Sequence, residues 1–239
     1  MPDLSQENQT ARAAQAERTA FTEKAILDAA EAVFARRGLS GTRVREIAEA
    51  AGVNGATLYN YYPSKSALYE AVLERGVAPL VAMVERFSAR PRELESVRAL
   101  VGEVMCHLAG HPDFSRLVYL EAIAEGPYLA TLAGTWFRPL VNFIVGELKS
   151  GPLPETIEES LLPLMAALFI HVSFGHFVLA PLVKETLDTD PLSEEGVGRQ
   201  ARFIDALILQ LFPRLGRGSD DETEGTSAAS RFLPEGSKA

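Results

Sequence analysis

Between Thr42 and Lys65 the chain reads TRVREIAEAAGVNGATLYNYYPSK, and this stretch restricts the fold more than any other. Val44, Ile47, Ala48 and Ala51 recur at helical spacing and predict a short helix, starting near Thr42, with one buried side. Gly52 ends it, being the residue suited to a left-handed helix end and a sharp turn. Asn54 then caps a second short helix, Gly55 to Tyr61, and Val53 before it packs inward. Two short helices crossing at a glycine turn form a helix-turn-helix, whose second helix enters the major groove of DNA. Leu58 and Tyr62 are expected to point inward. With Asn54 at its start, Gly55, Ala56, Thr57, Tyr59, Asn60 and Tyr61 form an outer side of small, hydroxyl or amide groups able to approach phosphates and base edges.

The flanking sequence continues in the same all-α idiom. A polar arm over residues 1–18 is expected to be flexible. A helix from about Thr22 to Arg37 buries Ile26, Ala29, Ala30, Val33 and Phe34 and stops at Gly38. Pro63 stops the recognition helix, and Ser64 caps the next, from Lys65 to about Ser88, with a kink expected at Pro79. Arg90-Pro91-Arg92 reads as a break. Further helices are expected over Glu93–Ala109, Phe114–Ala124, Tyr128–Lys149 (with a kink at Pro139), Thr156–Leu187 and Ser193–Leu211. Ser150-Gly151-Pro152-Leu153-Pro154 reads as a loop, and the Gly-, Ser- and acid-rich residues 216–239 as a disordered tail. No alternating strand pattern and no internal repeat is present. The expected architecture is a three-helix head (19–64) on a helical body (65–215).

Ile26-Leu27-Asp28-Ala29-Ala30, Phe34, Gly38, Ile47-Ala48, Ala51-Gly52-Val53, Thr57-Leu58-Tyr59, Tyr61-Tyr62, Ser64-Lys65 and Leu68 together resemble the N-terminal domain of the tetracycline-repressor (TetR) family. The resemblance covers about residues 20–72; beyond it, only length and helical pattern are similar. It implies phosphate contacts for Thr57 and Tyr61, and base or backbone contacts for Tyr59. Tyr61 stands where family members often carry His, which keeps a donor but forgoes a positive charge. The residues themselves add Asn60, whose amide can pair with a base edge, and Lys65, which can clamp a phosphate at a helix start. Thr42 reads equally as a phosphate contact or a helix cap. Arg43 and Arg45 lie on the polar side of their helix; plain solvated charge is as good a reading, and the resemblance favours Arg45.

A net charge of −9 over 239 residues is unusual for a DNA partner. The split helps: residues 1–66 hold eight Lys and Arg against eight Asp and Glu, so the acidic excess belongs to the rest. Affinity must then come from a few placed cations and backbone donors, doubled in a dimer. The single cysteine, Cys106, excludes an internal disulfide and suits a reducing cytoplasm. It is expected to be buried and inert. Met1 to Ala20 is too polar for a signal peptide. Leu161 to Val183 is long and apolar enough to raise a membrane span, but its prolines and histidines favour a buried helix, and no membrane partner is expected.

The body is dense in aromatic, Met and His residues, most of which are ordinary core. The resemblance implies a pocket between the helices of residues 65–187 for a lipophilic or aromatic small molecule. Its candidate lining is Met83, Phe87, Met105, Tyr128, Trp136, Phe137, His171 and Phe174, with His107, Tyr119, Glu121 and Asn142 as polar candidates. The four histidines are not read as a metal site, no cofactor is expected, and no catalytic constellation appears. The last two helices carry apolar residues on more than one side, among them Leu161, Leu164, Leu168, Phe203 and Leu207, which calls for a second buried surface. With the resemblance, this points to a homodimer. The reading is a ligand-responsive DNA-binding regulator, a repressor released from a palindromic operator. A DNA-binding activator or partner-controlled regulator is the alternative, and an enzyme using the helical body is the distant one.

Overall fold

The computed structural model describes residues 4–88, 94–149 and 157–211; the expected break at 90–92, the loop at 150–154 and the tail from 216 lie outside them. The described residues form helices and turns, with no strand among them. In order these are α1 (Leu4–Gly41), α2 (Val44–Ala50), α3 (Gly55–Tyr61), α4 (Lys65–Ser88), α5 (Leu94–Gly110), α6 (Pro112–Ile123), α7 (Leu129–Thr131), a π-helical stretch (Leu132–Phe137), α8 (Arg138–Lys149), a 3-10 turn (Glu159–Leu161), α9 (Leu162–Val178), α10 (Ala180–Leu187) and α11 (Glu194–Leu211).

Three elements depart from expectation. The arm expected to be flexible is helical from Leu4 onward. Its Ala, Gln, Glu and Arg residues are good helix formers, and they extend an existing helix without a new nucleus. Ahead of Pro139 there is a π-helical stretch, in which the Arg138 N–H reaches back to Ala133 O; it absorbs the donor that proline lacks. The single helix expected over 156–187 is divided at Leu179, whose backbone lies at φ −90°, ψ 0°. Pro181 then falls in the first turn of α10, where its missing N–H costs nothing.

One apolar cluster runs unbroken from head to body. Ile26, Phe34, Ile47 and Leu58 are fully buried in the head, Leu68 and Val72 along α4, and Leu108, Phe114 and Leu117 beyond it. Each such side chain contributes about 1.5–3 kcal/mol. The Phe34 ring meets Tyr69 edge-on at 4.8 Å, fastening α1 to α4. Head and body thus share packing across the 64/65 boundary. Cys106 is exposed in the single chain rather than buried.

Helix ends show where the sequence compromises. Gly52, at φ +68°, closes α2: its N–H bonds Glu49 O and the Val53 N–H bonds Ala48 O. α6 ends in the same way, with the Gly126 N–H on Glu121 O, but the left-handed residue is Glu125 at φ +46°. A side chain there costs about 1–2 kcal/mol, partly offset by the extra freedom glycine gives the unfolded chain. Glu125→Gly is therefore expected to raise the unfolding free energy by about 0.5–1 kcal/mol. A urea titration checks it; a lower midpoint would show that Glu125 makes a compensating contact.

Candidate functional site

The outer face of the head is built by α2 and α3. The Asn54 side chain accepts the Thr57 N–H at 2.7 Å, fixing the start of α3, a cap worth about 1 kcal/mol. Leu58 is fully buried and Tyr62 nearly so, as expected. The Tyr62 hydroxyl donates to Glu23, and burial with that neighbouring carboxylate pushes its pKa up to about 12, so it remains a donor. With this side anchored, Gly55, Ala56, Tyr59 and Asn60 face solvent; Tyr59 is 51% exposed. Thr57 and Tyr61 lie at the edge, and the Tyr61 hydroxyl reaches the Thr19 carbonyl at 3.4 Å, tying α3 to α1.

Two expected contacts carry structural duties instead. Thr42 is buried, and its hydroxyl donates to Gly38 O at 2.7 Å, so it fastens the end of α1 and does not cap α2, whose N-cap is Arg43. Lys65 is half-buried and its Nζ donates to Thr42 O at 3.0 Å, which pins the start of α2 to α4 and leaves its other two N–H groups. Arg43 is exposed, its backbone N–H bonded to Glu46. Arg45 pairs with Glu49 at 2.7 Å on an exposed surface, an interaction weak enough to be exchanged for a phosphate.

A polar cluster joins head to body. Glu31 of α1, 5% exposed, accepts from Arg75 of α4 at 2.5 Å and lies 3.2 Å from His111 at the α5–α6 corner. Arg75 also meets Asp28 at 2.6 Å. The ring of His107 on α5 and that of His111, just past the end of α5, lie 5.1 Å apart. His107 Nε2 lies 2.7 Å from Gly76 O, so His107 belongs to the α4–α5 contact.

Burial holds the His107 imidazole below the ordinary histidine range, with the Gly76 carbonyl opposing in part. The unfolded chain therefore takes up this proton more readily than the folded one. The associated stability is full above the unfolded value of about 6.5 and is lost as pH falls toward the depressed folded value. The urea midpoint is expected to drop between about pH 7.5 and 5.5, and His107→Gln, which keeps a donor for Gly76, to shrink the drop. An equal drop in both proteins would place the titrating group elsewhere. His176, also held low by burial, accounts for a residual slope.

The cavity of the body lies farther out. A half-open cavity of about 190 Å³ is lined by Leu80, Val84 and Phe87 of α4, Val97, Leu100, Val101 and Val104 of α5, Leu140, Phe143 and Ile144 of α8, Phe169, Ile170, Ser173 and Phe174 of α9, and Ile204 and Ile208 of α11. Of the expected lining only Phe87 and Phe174 are there. Met105 is core, and Met83, Tyr128, Trp136 and Phe137 pack against it. Tyr119 is partly buried, near Gly175. Glu121 is buried but spent, accepting the Tyr69 hydroxyl at 2.7 Å and the Tyr128 N–H at 3.2 Å. Asn142 and His171 are exposed; His171 borders an open groove of about 530 Å³ between α9, α10 and α11. Apart from Phe143, Phe169 and Ser173 the missed residues are aliphatic, and at helical spacing a cavity-lining Val or Leu is indistinguishable from a core one.

The stretch Glu159–Val178 is long and apolar enough to cross a membrane. Here it buries Leu162, Ala166, Phe174 and Phe177 and packs against α5, α6, α8 and α11. Its other side exposes Leu161, Leu164 and Leu168, and Leu179, Leu182, Leu187, Leu192 and Phe203 are exposed nearby in the chain or on α11.

Comparison with known proteins places both parts. Residues 26–72 match the family described as bacterial regulatory proteins, tetR family. The HTH-type transcriptional regulator RutR of Escherichia coli (strain K12) is 38% identical over 138 residues, 54% of this chain and 63% of that protein, so the match spans just under two thirds of RutR. The HTH-type transcriptional repressor SCO4008 of Streptomyces coelicolor is 28% identical over 171 residues, covering 70% of this chain and 83% of that one. Among solved structures, a TetR-like transcriptional regulator from Rhodococcus sp. RHA1 superposes with TM-score 0.59 at 20% identity, covering 79% of this chain and 94% of its own. SCO4942 of Streptomyces coelicolor, a putative transcriptional regulator, gives 0.53 at 26% identity, covering 81% and 99%.

Proposed function

Because the chain belongs to the tetR family of bacterial regulatory proteins, we propose that it is a cytoplasmic transcriptional repressor, released from a palindromic operator by a small apolar effector. The carrying observation is the helix-turn-helix itself: α3 is anchored by Leu58, Tyr62 and the Asn54 cap, and presents Tyr59 and Asn60 outward. Thr57, Tyr61, Arg43 and Arg45 flank them as backbone contacts. Gly55 supports the reading, since a Cβ there would meet nothing within the protein, so its bareness suits an approach from outside.

The exposed leucines of α9 and α10 with Phe203 of α11 support a homodimer through the last helices. A two-fold dimer sets two copies of α3 into successive major grooves, roughly 34–36 Å apart or a multiple. α4 begins beneath the head and ends at the cavity, so an occupant that shifts α4 alters the spacing of the heads. About tenfold induction requires the effector to favour the non-binding state by roughly 1.4 kcal/mol.

Selection of bound sequences from random double-stranded DNA tests this reading. Enrichment of one palindromic motif is the expected result; a purified dimer that enriches none at moderate salt sinks it. On the selected site, Tyr59→Ala and Asn60→Ala are each expected to weaken binding tenfold to a hundredfold, about 1–3 kcal/mol. Anisotropy at fixed salt reads the affinity, and unchanged circular dichroism shows an intact fold. Full affinity in both variants would mean that another face docks.

A further inference from the structure

Resting on the regulator reading above, we infer that the cavity between α4, α5, α8, α9 and α11 is a receptor for an uncharged hydrocarbon about the size of an alkylbenzene. Its volume of about 190 Å³ exceeds the roughly 150 Å³ of an artificial cavity with a similar Leu, Ile and Phe lining that stays dry and takes up benzene. One ring with a short alkyl chain fits that margin.

The chemistry of the walls fixes the class. Among the described lining residues there is no Asp, Glu, Lys, Arg, His, Asn or Gln. Among them Ser173 brings the sole side-chain hydroxyl, and its Oγ donates to Phe169 O at 2.8 Å within its own helix. A carboxylate, ammonium or phenol carried inside would shed its water and find no partner. The nearest things to a polar handle in the body are engaged elsewhere: Glu121 by Tyr69 and the Tyr128 backbone, and His107 at Gly76. Recognition is therefore by shape and apolar area, with Phe87 and Phe143, edge-on at 5.9 Å, offering ring faces and edges.

The placement also suits control. Leu80, Val84 and Phe87 all follow Pro79 in α4, whereas Leu68, Tyr69 and Val72, on the other side of that proline, belong to the core shared with the head. An occupant pressing on the later segment acts on the helix that carries the head.

The experiment compares three ligands of nearly equal size on the full chain: butylbenzene, 4-butylphenol and 4-phenylbutyrate. Calorimetry reads binding, and operator anisotropy is run in parallel. Butylbenzene is expected to bind and to release DNA. The phenol is expected to bind about tenfold more weakly and the carboxylate at least about a hundredfold more weakly. Val104→Phe, which fills the space, should abolish binding while circular dichroism stays helical; if that variant does not fold, the three-ligand ranking decides alone. Carboxylate binding as tight as hydrocarbon binding overturns the inference. So does absent butylbenzene binding by a protein that still holds its operator, and so does full affinity in a folded Val104→Phe. Those failures leave the regulator reading standing, whereas hydrocarbon binding without any sequence-specific DNA binding sinks that reading and not this one.

Discussion

Glu31→Ala is expected to lower the unfolding free energy by about 3 kcal/mol, near the low end for removing one partner of a buried ion pair. Glu31 bridges three parts of the chain: it sits on α1, accepts from Arg75 of α4, and meets His111 at the α5–α6 corner. Arg75 is 19% exposed at its side chain, and its Nε already has no partner. Without Glu31 its charge keeps only Asp28, a half-exposed carboxylate 2.6 Å away. Burial opposes the ionised Glu31 most strongly, yet the hydrogen bonds from His111 and Arg75 outweigh it and hold the carboxyl below its usual range. The contribution is therefore present above the unfolded value of about 4.5 and is lost as pH falls through the depressed folded value. Glu31→Gln, which keeps shape and one acceptor but no charge, is expected to lose about half as much. Urea titrations of both variants at neutral pH provide the check. If both lie within about 0.5 kcal/mol of the parent, the cluster is a solvated ornament and not a joint between head and body.

The sequence disclosed the head and the body to different depths, for physical reasons. α2, the Gly52 turn, α3 and the Ser64 start of α4 are set by local chemistry: helical period, a left-handed glycine, an Asn cap, a hydroxyl cap. Such rules act within a few residues, so their elements and the side chains turned inward at Leu58 and Tyr62 could be read directly. Thr42 and Lys65 show the limit even there. Both are polar and near the DNA face in sequence, but the fold brings Lys65 Nζ onto Thr42 O, twenty-three residues away, a contact no local rule reports. The cavity was less legible still. Aromatic and polar residues drew attention as lining, but Glu121 and His107 are spent on Tyr69 and Gly76, while the cavity is walled mostly by aliphatic residues, with four Phe, from five helices. A missing volume is a property of how helices cross, and periodicity encodes only which face is turned inward. The break at Leu179 was hidden for a related reason, since Pro181 is compatible both with a kink inside a helix and with the first turn of a new one.

Gly76→Ala is expected to destabilise the protein by about 2–3 kcal/mol, although alanine is the better helix former by about 1 kcal/mol. The reason lies at the crossing of α4 and α6. A Cβ built on Gly76 falls 2.2, 2.4 and 2.5 Å from Cδ2, Cε2 and Cγ of Phe114. Those distances lie far inside contact, so the ring has to move. Phe114 is fully buried and its ring faces Phe174 at 5.9 Å, so it has no solvent to turn into. The whole α4–α6 contact must open, and His107, which rests on the Gly76 carbonyl, moves with it. Relief should come from the partner: with Phe114→Leu in place the clash loses most of its atoms. The double variant is then expected to be more stable than the two single losses would sum to, by about 1 kcal/mol or more. Chemical denaturation of the four proteins closes the cycle. Strict additivity, or a Gly76→Ala more stable than the parent, would show that the two helices are not held at this distance. α4 joins the head to the cavity, so the same crossing fixes where the head stands relative to the body. For this reason the partially relieved double variant is also where operator affinity should change while the fold survives.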